Sequence, residues 1–152
     1  KIFNFEHYSN IILLFFSSVP VHWKQHGYGS QMTREQIKMS GQFAKYKCMS
    51  KNDVTEEQVG EIGNGKFIEE KNVMCYIACI YKKGQTIKGN KMNYDMMTKQ
   101  VEMIFPSEMK TGAKKAIEHC KAVSNTYKDI CELAYWTAKC IYEFDPANFV
   151  FA

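Results

Sequence analysis

Apolar residues recur every third or fourth position along most of this chain, and no alternating run bounded by turns is long enough for a sheet. The reading is helical almost throughout. Thr33, with Gln36 three residues on, makes a capping box ahead of a helix whose inner face is expected to include Ile37, Phe43 and Ala44, and this first helix is expected to end near Cys48. Asp53-Val54-Thr55 opens a short second helix that the glycines of GEIGNG stop. A third begins at Glu69 and Glu70; Val73, Ile77 and Ile80 form one of its stripes, Met74, Ala78 and Tyr81 an adjacent one, and Gly84 ends it. Asn93 caps a fourth, with Tyr94, Met97, Val101 and Ile104 inward and Pro106 as its stop. Ser107 caps a fifth through about Val123, and Asn125 or Thr126 a sixth through about Tyr142. Nothing resembling a repeat or a linker divides these elements, so the expectation is one compact all-α domain of six helices with a tail over residues 143–152.

The N-terminus differs in kind. Residues 11–16, IILLFF, lie in an apolar run reaching about Val21, too short to cross a bilayer. It reads as the hydrophobic region of a secretory signal over residues 1–30 whose charged start is thin or truncated, with cleavage near Gly29 or Ser30. A buried or amphipathic helix is the alternative. Residues 1–30 hold two of the 20 Lys and Arg and one of the 16 Asp and Glu, so residues 31–152 carry 18 against 15, a net charge of +3. That charge is mild and scattered, which argues against nucleic acid as a partner.

Six cysteines in an exported chain of 152 residues read as a disulfide framework. Cys75 and Cys79, at i and i+4, fall about 40° apart round one helix, so each must tie that helix to a different neighbour. Cys131 and Cys140 are nine residues apart, about 900° of rotation, and face opposite sides of the last helix. Of 15 connectivities, these phases favour one bond between the third and sixth helices, with Cys48 and Cys120 each taking one remaining thiol. Helical phase does not fix which.

The spacing C48-x26-C75-x3-C79-x40-C120-x10-C131-x8-C140 resembles the six-cysteine signature of the insect odorant-binding proteins over residues 32–152. MTREQ, MCYIAC, PSEM and YWTAKC are similar to a LUSH-like group within that family. The resemblance implies the pairing Cys48–Cys79, Cys75–Cys131 and Cys120–Cys140, a helical shell around a hydrophobic cavity, no catalysis and no cofactor. It also implies a polar anchor at Thr86, with Tyr81 where the family carries Ser, and a C-terminal tail containing Phe149 and Phe151 folded over the pocket. Ile141 stands at a family aromatic position. Ile77, Met92, Met97, Val101, Met103, Ile104, Ile117 and Leu133 complete the expected lining, Met-rich walls being adaptable. Three disulfides, each contributing on the order of 2 to 4 kcal/mol, can compensate for the packing that a hollow shell gives up.

His119 is the one histidine after residue 30, and a zinc site needs about four ligands, so a metal or catalytic role is not expected. G-x-S-x-G, H-E-x-x-H and phosphate-binding glycine loops are missing from the sequence. Trp136 reads as a rim or surface aromatic. Glu143 and Asp145, just before the tail, are candidates for a protonation switch that loosens it. The expected function is an extracellular carrier of a small hydrophobic odorant or pheromone, an alcohol, ester, aldehyde or fatty-acid-like molecule, delivered to a chemosensory receptor. A weak homodimer is compatible with this; stable membrane insertion is not. The alternatives are a secreted carrier outside olfaction, or a membrane-active helical protein, which the cysteine spacing and the lack of a basic stripe disfavour.

Overall fold

The computed structural model describes residues 31–152. The expected signal peptide and its cleavage point lie outside the described residues. Eight α-helical segments build the domain: α1 (Arg34–Ser40), α2 (Gln42–Asn52), α3 (Glu56–Val59), α4 (Lys71–Lys83), α5 (Tyr94–Ile104), α6 (Ser107–Cys120), α7 (Val123–Thr126) and α8 (Ile130–Phe144). A 3-10 turn at Ile62–Asn64 follows α3. These are the six expected helices with two breaks. Gly41 interrupts the first, because the end of the chain comes against it: a Cβ there would lie 2.5 Å from that of Ala152. The second break follows Cys120, where residues 121–129 carry the chain across to the start of α8.

Local chemistry explains the starts and stops. Thr33 and Thr55 each form a capping box, with Gln36 and Gln58. The first helical stretch outlasts its expected end at Cys48: Asn52 donates to the Cys48 carbonyl, and Asp53 then turns left-handed at φ 52°. At α6 the cap is Pro106, whose extended conformation leaves Ser107 as the first helical residue. The sixth expected helix starts later than Asn125 or Thr126 suggests, because the Asp129 carboxylate accepts from the backbone N–H groups of Cys131 and Glu132. A two-residue hairpin, β1 (Ile87–Lys88) with β2 (Lys91–Met92), was not expected from the pattern; Gly89, at φ 62°, makes its turn.

Helix α4 packs most extensively on α8, and the fully buried Val73, Tyr76 and Ile77 of α4 join Ala134, Tyr135 and Ala138 of α8 in the core. Three disulfides join helices: Cys48–Cys79 links α2 to α4, Cys75–Cys131 links α4 to α8, and Cys120–Cys140 links α6 to α8. Both helical-phase arguments hold, since α4 sends its two thiols to different partners and α8 does the same. Because residues 121–129 displace the start of α8, Cys120 meets Cys140 rather than Cys131.

Candidate functional site

After α8 the chain reverses, and residues 145–152 run back across the open side of the helical shell. Asp145 accepts from the Asn148 side-chain amide at 2.7 Å, which tightens the reversal. The Arg34 guanidinium donates to the backbone carbonyls of Phe149, at 2.9 Å, and Ala147. Phe149 and Phe151 then turn inward, 4% and 5% exposed, with their rings stacked 6.0 Å apart. Phe149 meets Phe67 and Tyr142, while Phe151 meets Tyr76 and Tyr81. An apolar segment with no local partner thus finds its burial in tertiary contacts.

Beneath the tail lies a cavity of about 210 Å³. Its walls are Ile80 and Tyr81 of α4, Met97, Val101 and Ile104 of α5, Ala113 and Ile117 of α6, Ile141 of α8, and Phe149 and Val150 of the tail. Ile37 closes one side, and Gly84, exposed at the end of α4, marks where solvent reaches the space. Among the described residues, no charged side chain lines it. The wall is mostly apolar, with its polar groups supplied by Tyr81, Thr86, Gln100 and Asn148. Other depressions near β2 and α1 are larger but more open, and charged residues such as Lys88, Lys91 and Glu35 are part of their lining.

Two of these polar groups stand at the C-terminal turn of α4. The buried Thr86 hydroxyl donates to the Tyr81 carbonyl at 2.9 Å, and the Thr86 N–H donates to the same oxygen. Thr86 is therefore satisfied without a guest, yet its oxygen keeps accepting capacity. The Tyr81 hydroxyl has no hydrogen-bond partner among the described residues. Burial, with a smaller contribution from the neighbouring Tyr94, raises its pKa above the usual phenol value, so it stays neutral. The Gln100 side-chain amide donates to the Gly84 carbonyl and braces the end of α4 against α5.

Eight of the residues singled out from sequence come together on this wall: Tyr81, Thr86, Met97, Val101, Ile104, Ile117, Ile141 and Phe149. Five others do not. Met103 is 61% exposed on the outer face of α5, since it sits one step round the helix from Ile104. Met92 belongs to β2 and borders two surface depressions, and Leu133 borders the second of them. Ile77 is fully buried in the packing of α4 rather than facing the space. Phe151 lies behind the wall, backing Tyr81 and Phe149. Ile80 was legible as part of an apolar stripe, but Gln100 and Asn148 carried no sequence signal because only the fold brings them to the cavity.

The remaining candidates fall elsewhere. His119 is exposed, with its ring 4.7 Å from that of Phe144. Trp136 stacks on Tyr127 at 5.3 Å, beneath the Lys139 ammonium, on the outside of α8. Among the described residues, no cluster of three His, Cys, Asp or Glu could hold a metal ion, and no helix is long and apolar enough to cross a membrane. Neither Glu143 nor Asp145 enters an ion pair among the described residues, and the tail is held instead by Arg34.

The PBP/GOBP family profile matches residues 30–144, which takes in all six cysteines and stops where the tail begins. General odorant-binding protein 72 of Anopheles gambiae is similar, 29% identical over 120 residues that make up 79% of this chain and 98% of that protein. General odorant-binding protein 19a of Drosophila melanogaster is 29% identical over 113 residues, 72% of this chain and 77% of its own. Among solved structures, odorant binding protein 5 of Apis mellifera superposes with a TM-score of 0.71 at 28% identity, covering 80% of this chain and 99% of that one. Odorant binding protein 4 of Chrysopa pallens gives 0.69 at 31% identity, covering 80% and 100%.

Proposed function

This chain belongs to the PBP/GOBP family of insect odorant-binding proteins, and on that premise we propose that it takes up a small neutral hydrophobic odorant or pheromone with one polar end and delivers it to a chemosensory receptor. The family's members are non-enzymatic carriers of small hydrophobic molecules. The observation that carries the finer reading is the cavity itself: about 210 Å³, apolar, free of charged side chains among the described residues and covered by the chain's own tail. Burying a carboxylate there would leave an unpaired charge, at a cost that an apolar chain of few carbons could not offset. A hydroxyl or carbonyl needs only one or two hydrogen bonds, and Tyr81 with Thr86 can offer them.

In this reading Tyr81, Thr86, Met97, Val101, Ile104, Ile117, Ile141 and Phe149 contact the ligand, and Phe151 supports two of them. Residues 1–30 serve as the secretory signal, which agrees with a disulfide-bonded fold that needs an oxidising compartment. The residues around the cysteines and the position of Thr86 support assignment to the LUSH-like group, with Tyr81 as the departure from that pattern. The test is displacement of a fluorescent apolar probe from the oxidised protein by an alcohol, an aldehyde, an ester and a carboxylate of matched chain length. Displacement at micromolar concentration by the neutral compounds, with the carboxylate at least tenfold weaker, is expected; a folded protein that takes up no probe, or that ranks the carboxylate first, overturns the reading.

A further inference from the structure

Helices α1 and α2 form an almost continuous rod, and one side of it is apolar but faces solvent. Met39, Phe43 and Tyr46, at i, i+4 and i+7, are 72%, 73% and 72% exposed, so Phe43 is not on the inner face where the pattern places it. Their spacing puts them within about 60° of one another round the rod. Chance surface residues are scattered singly, whereas these three share a line. Although the charge of the whole chain reads as scattered and without a basic stripe, from Gln36 to Asn52 it holds four Lys and no Asp or Glu, and the exposed apolar side chains lie among them. Lys45 is spent on Glu56 at 2.6 Å, but Lys38, Lys47 and Lys51 are exposed and form no ion pair among the described residues. The Lys47 ammonium lies 5.6 Å from the centre of the Phe43 ring. The acidic residues bordering the rod are Glu35 at its start, Asp53 at its end and Glu56, already neutralised, on α3.

We propose that this Met39–Phe43–Tyr46 stripe with its flanking lysines is a docking surface for an anionic lipid bilayer, on which the protein rests without inserting. The side chains stand out from a convex helix and form no groove, so they suit immersion in a soft interface. Three side chains also fall well short of the roughly 800 Å² per partner that a stable protein interface needs. A peripheral helix, by contrast, immerses its apolar edge only about 5–10 Å into the headgroup region, with cations at the lipid phosphates. Tyr46 can sit there with its hydroxyl in water and its ring in lipid. The tail packs on the other side of the rod: Ala152 lies against Gly41, about 200° round from Met39, so it leaves the stripe uncovered.

Sedimentation with vesicles tests this in the oxidised, ligand-free chain, comparing pure phosphatidylcholine with a mixture containing about a third phosphatidylserine. Binding to the anionic vesicles alone is expected, weakening with added salt. Each of Lys38→Gln, Lys47→Gln and Lys51→Gln is expected to weaken it about fivefold. The double variant Phe43→Ser, Tyr46→Ser is expected to weaken it at least tenfold; because both residues are exposed, its thermal unfolding should match the parent. Equal binding to both vesicle types, no binding to either, or binding that the stripe variants leave intact would each overturn the proposal. So would a stripe-dependent self-association in sedimentation velocity without vesicle binding, which would make a second copy of the chain the occupant. None of these readings depends on whether the cavity binds its probe.

Discussion

Replacing Phe151 by Ala separates two roles the tail can play, because Phe151 sits behind the cavity wall while its neighbour Phe149 is part of it. The ring is 5% exposed and its centroid lies 6.0 to 6.4 Å from those of Phe149, Tyr81 and Tyr76. Burying a phenylalanine side chain is worth about 1.5 to 3 kcal/mol. Phe151 packs the tail against the shell, so its removal takes that energy out of tail docking. At 1.4 kcal/mol per factor of ten, the undocked population rises about 10- to 150-fold. Arg34 and Phe149 still hold the tail, so most molecules stay closed. If ligand passes in and out through the undocked state, both rates rise together and the dissociation constant changes little. Phe149→Ala, which strips the wall as well, raises the dissociation constant too. Stopped-flow chase of a bound fluorescent probe gives the off-rate, and hydrogen exchange of residues 147–152 reports docking. A tail shown to be loosened by exchange while the off-rate stays within twofold of the parent would refute the gate and put the exit at Gly84 and Gln100.

Four further outcomes follow from named contacts. Arg34→Met removes both guanidinium hydrogen bonds to the tail carbonyls and is expected to accelerate probe release about tenfold, hydrogen bonds to a charged group being worth about 1.5 to 3 kcal/mol before solvent screening; unchanged release would show that the aromatic contacts alone hold the tail. Gly112→Ala in α6, a change that stabilises most helix interiors by about 1 kcal/mol, is expected to gain less than that here, because its Cβ would push aside the Asp145 and Asn148 side-chain ends and the hydrogen bond between them at the tail reversal; the full gain in melting temperature would contradict that. Replacing Cys75 and Cys131 together by Ala opens a 56-residue loop, and the loop-entropy estimate of about 4 kcal/mol exceeds the roughly 3 kcal/mol for the 20-residue separation of Cys120–Cys140, so denaturant midpoints should fall in that order. Asp129→Ala removes the cap of α8 at a cost of about 1 kcal/mol, which Asp129→Asn should largely restore. The hydrogen bond from Lys71 chiefly, with those from the Glu132 and Cys131 backbone, holds the Asp129 carboxyl below its ordinary value of 3.8. A depressed carboxyl stabilises the fold above its unfolded value and loses that contribution as pH falls through the folded one. Melts should therefore show any advantage of Asp129 over the Asp129→Asn variant unchanged from about pH 7 to 5 and vanishing only below about pH 4.

The sequence by itself determined the helices, because capping boxes at Thr33 and Thr55, the Asn93 cap and the breakers Gly84 and Pro106 are local signals, decided within a turn of chain. Helical phase likewise settled that Cys75 and Cys79 serve different neighbours, and family spacing named them. What tertiary structure decided was every feature depending on where distant segments meet. Ser107 and Thr126 are plausible caps taken alone, but the extended Pro106 already leaves Ser107 inside α6, and Asp129 takes the N–H groups of Cys131 and Glu132 where residues 121–129 have crossed to α8. Met92, Met103 and Leu133 have the character of pocket residues, yet where a helix or hairpin face points depends on what packs on it: Met103 ends in solvent, while Met92 and Leu133 are buried elsewhere in the core, away from the cavity. Gln100 and Asn148 reach the cavity for the converse reason: polar side chains have no periodic signature, and their places follow from the end of α4 and the reversal of the tail. The tail itself is legible only as an apolar segment without a local partner; that Arg34, 115 residues earlier, holds it over the cavity is a long-range contact that no local pattern encodes.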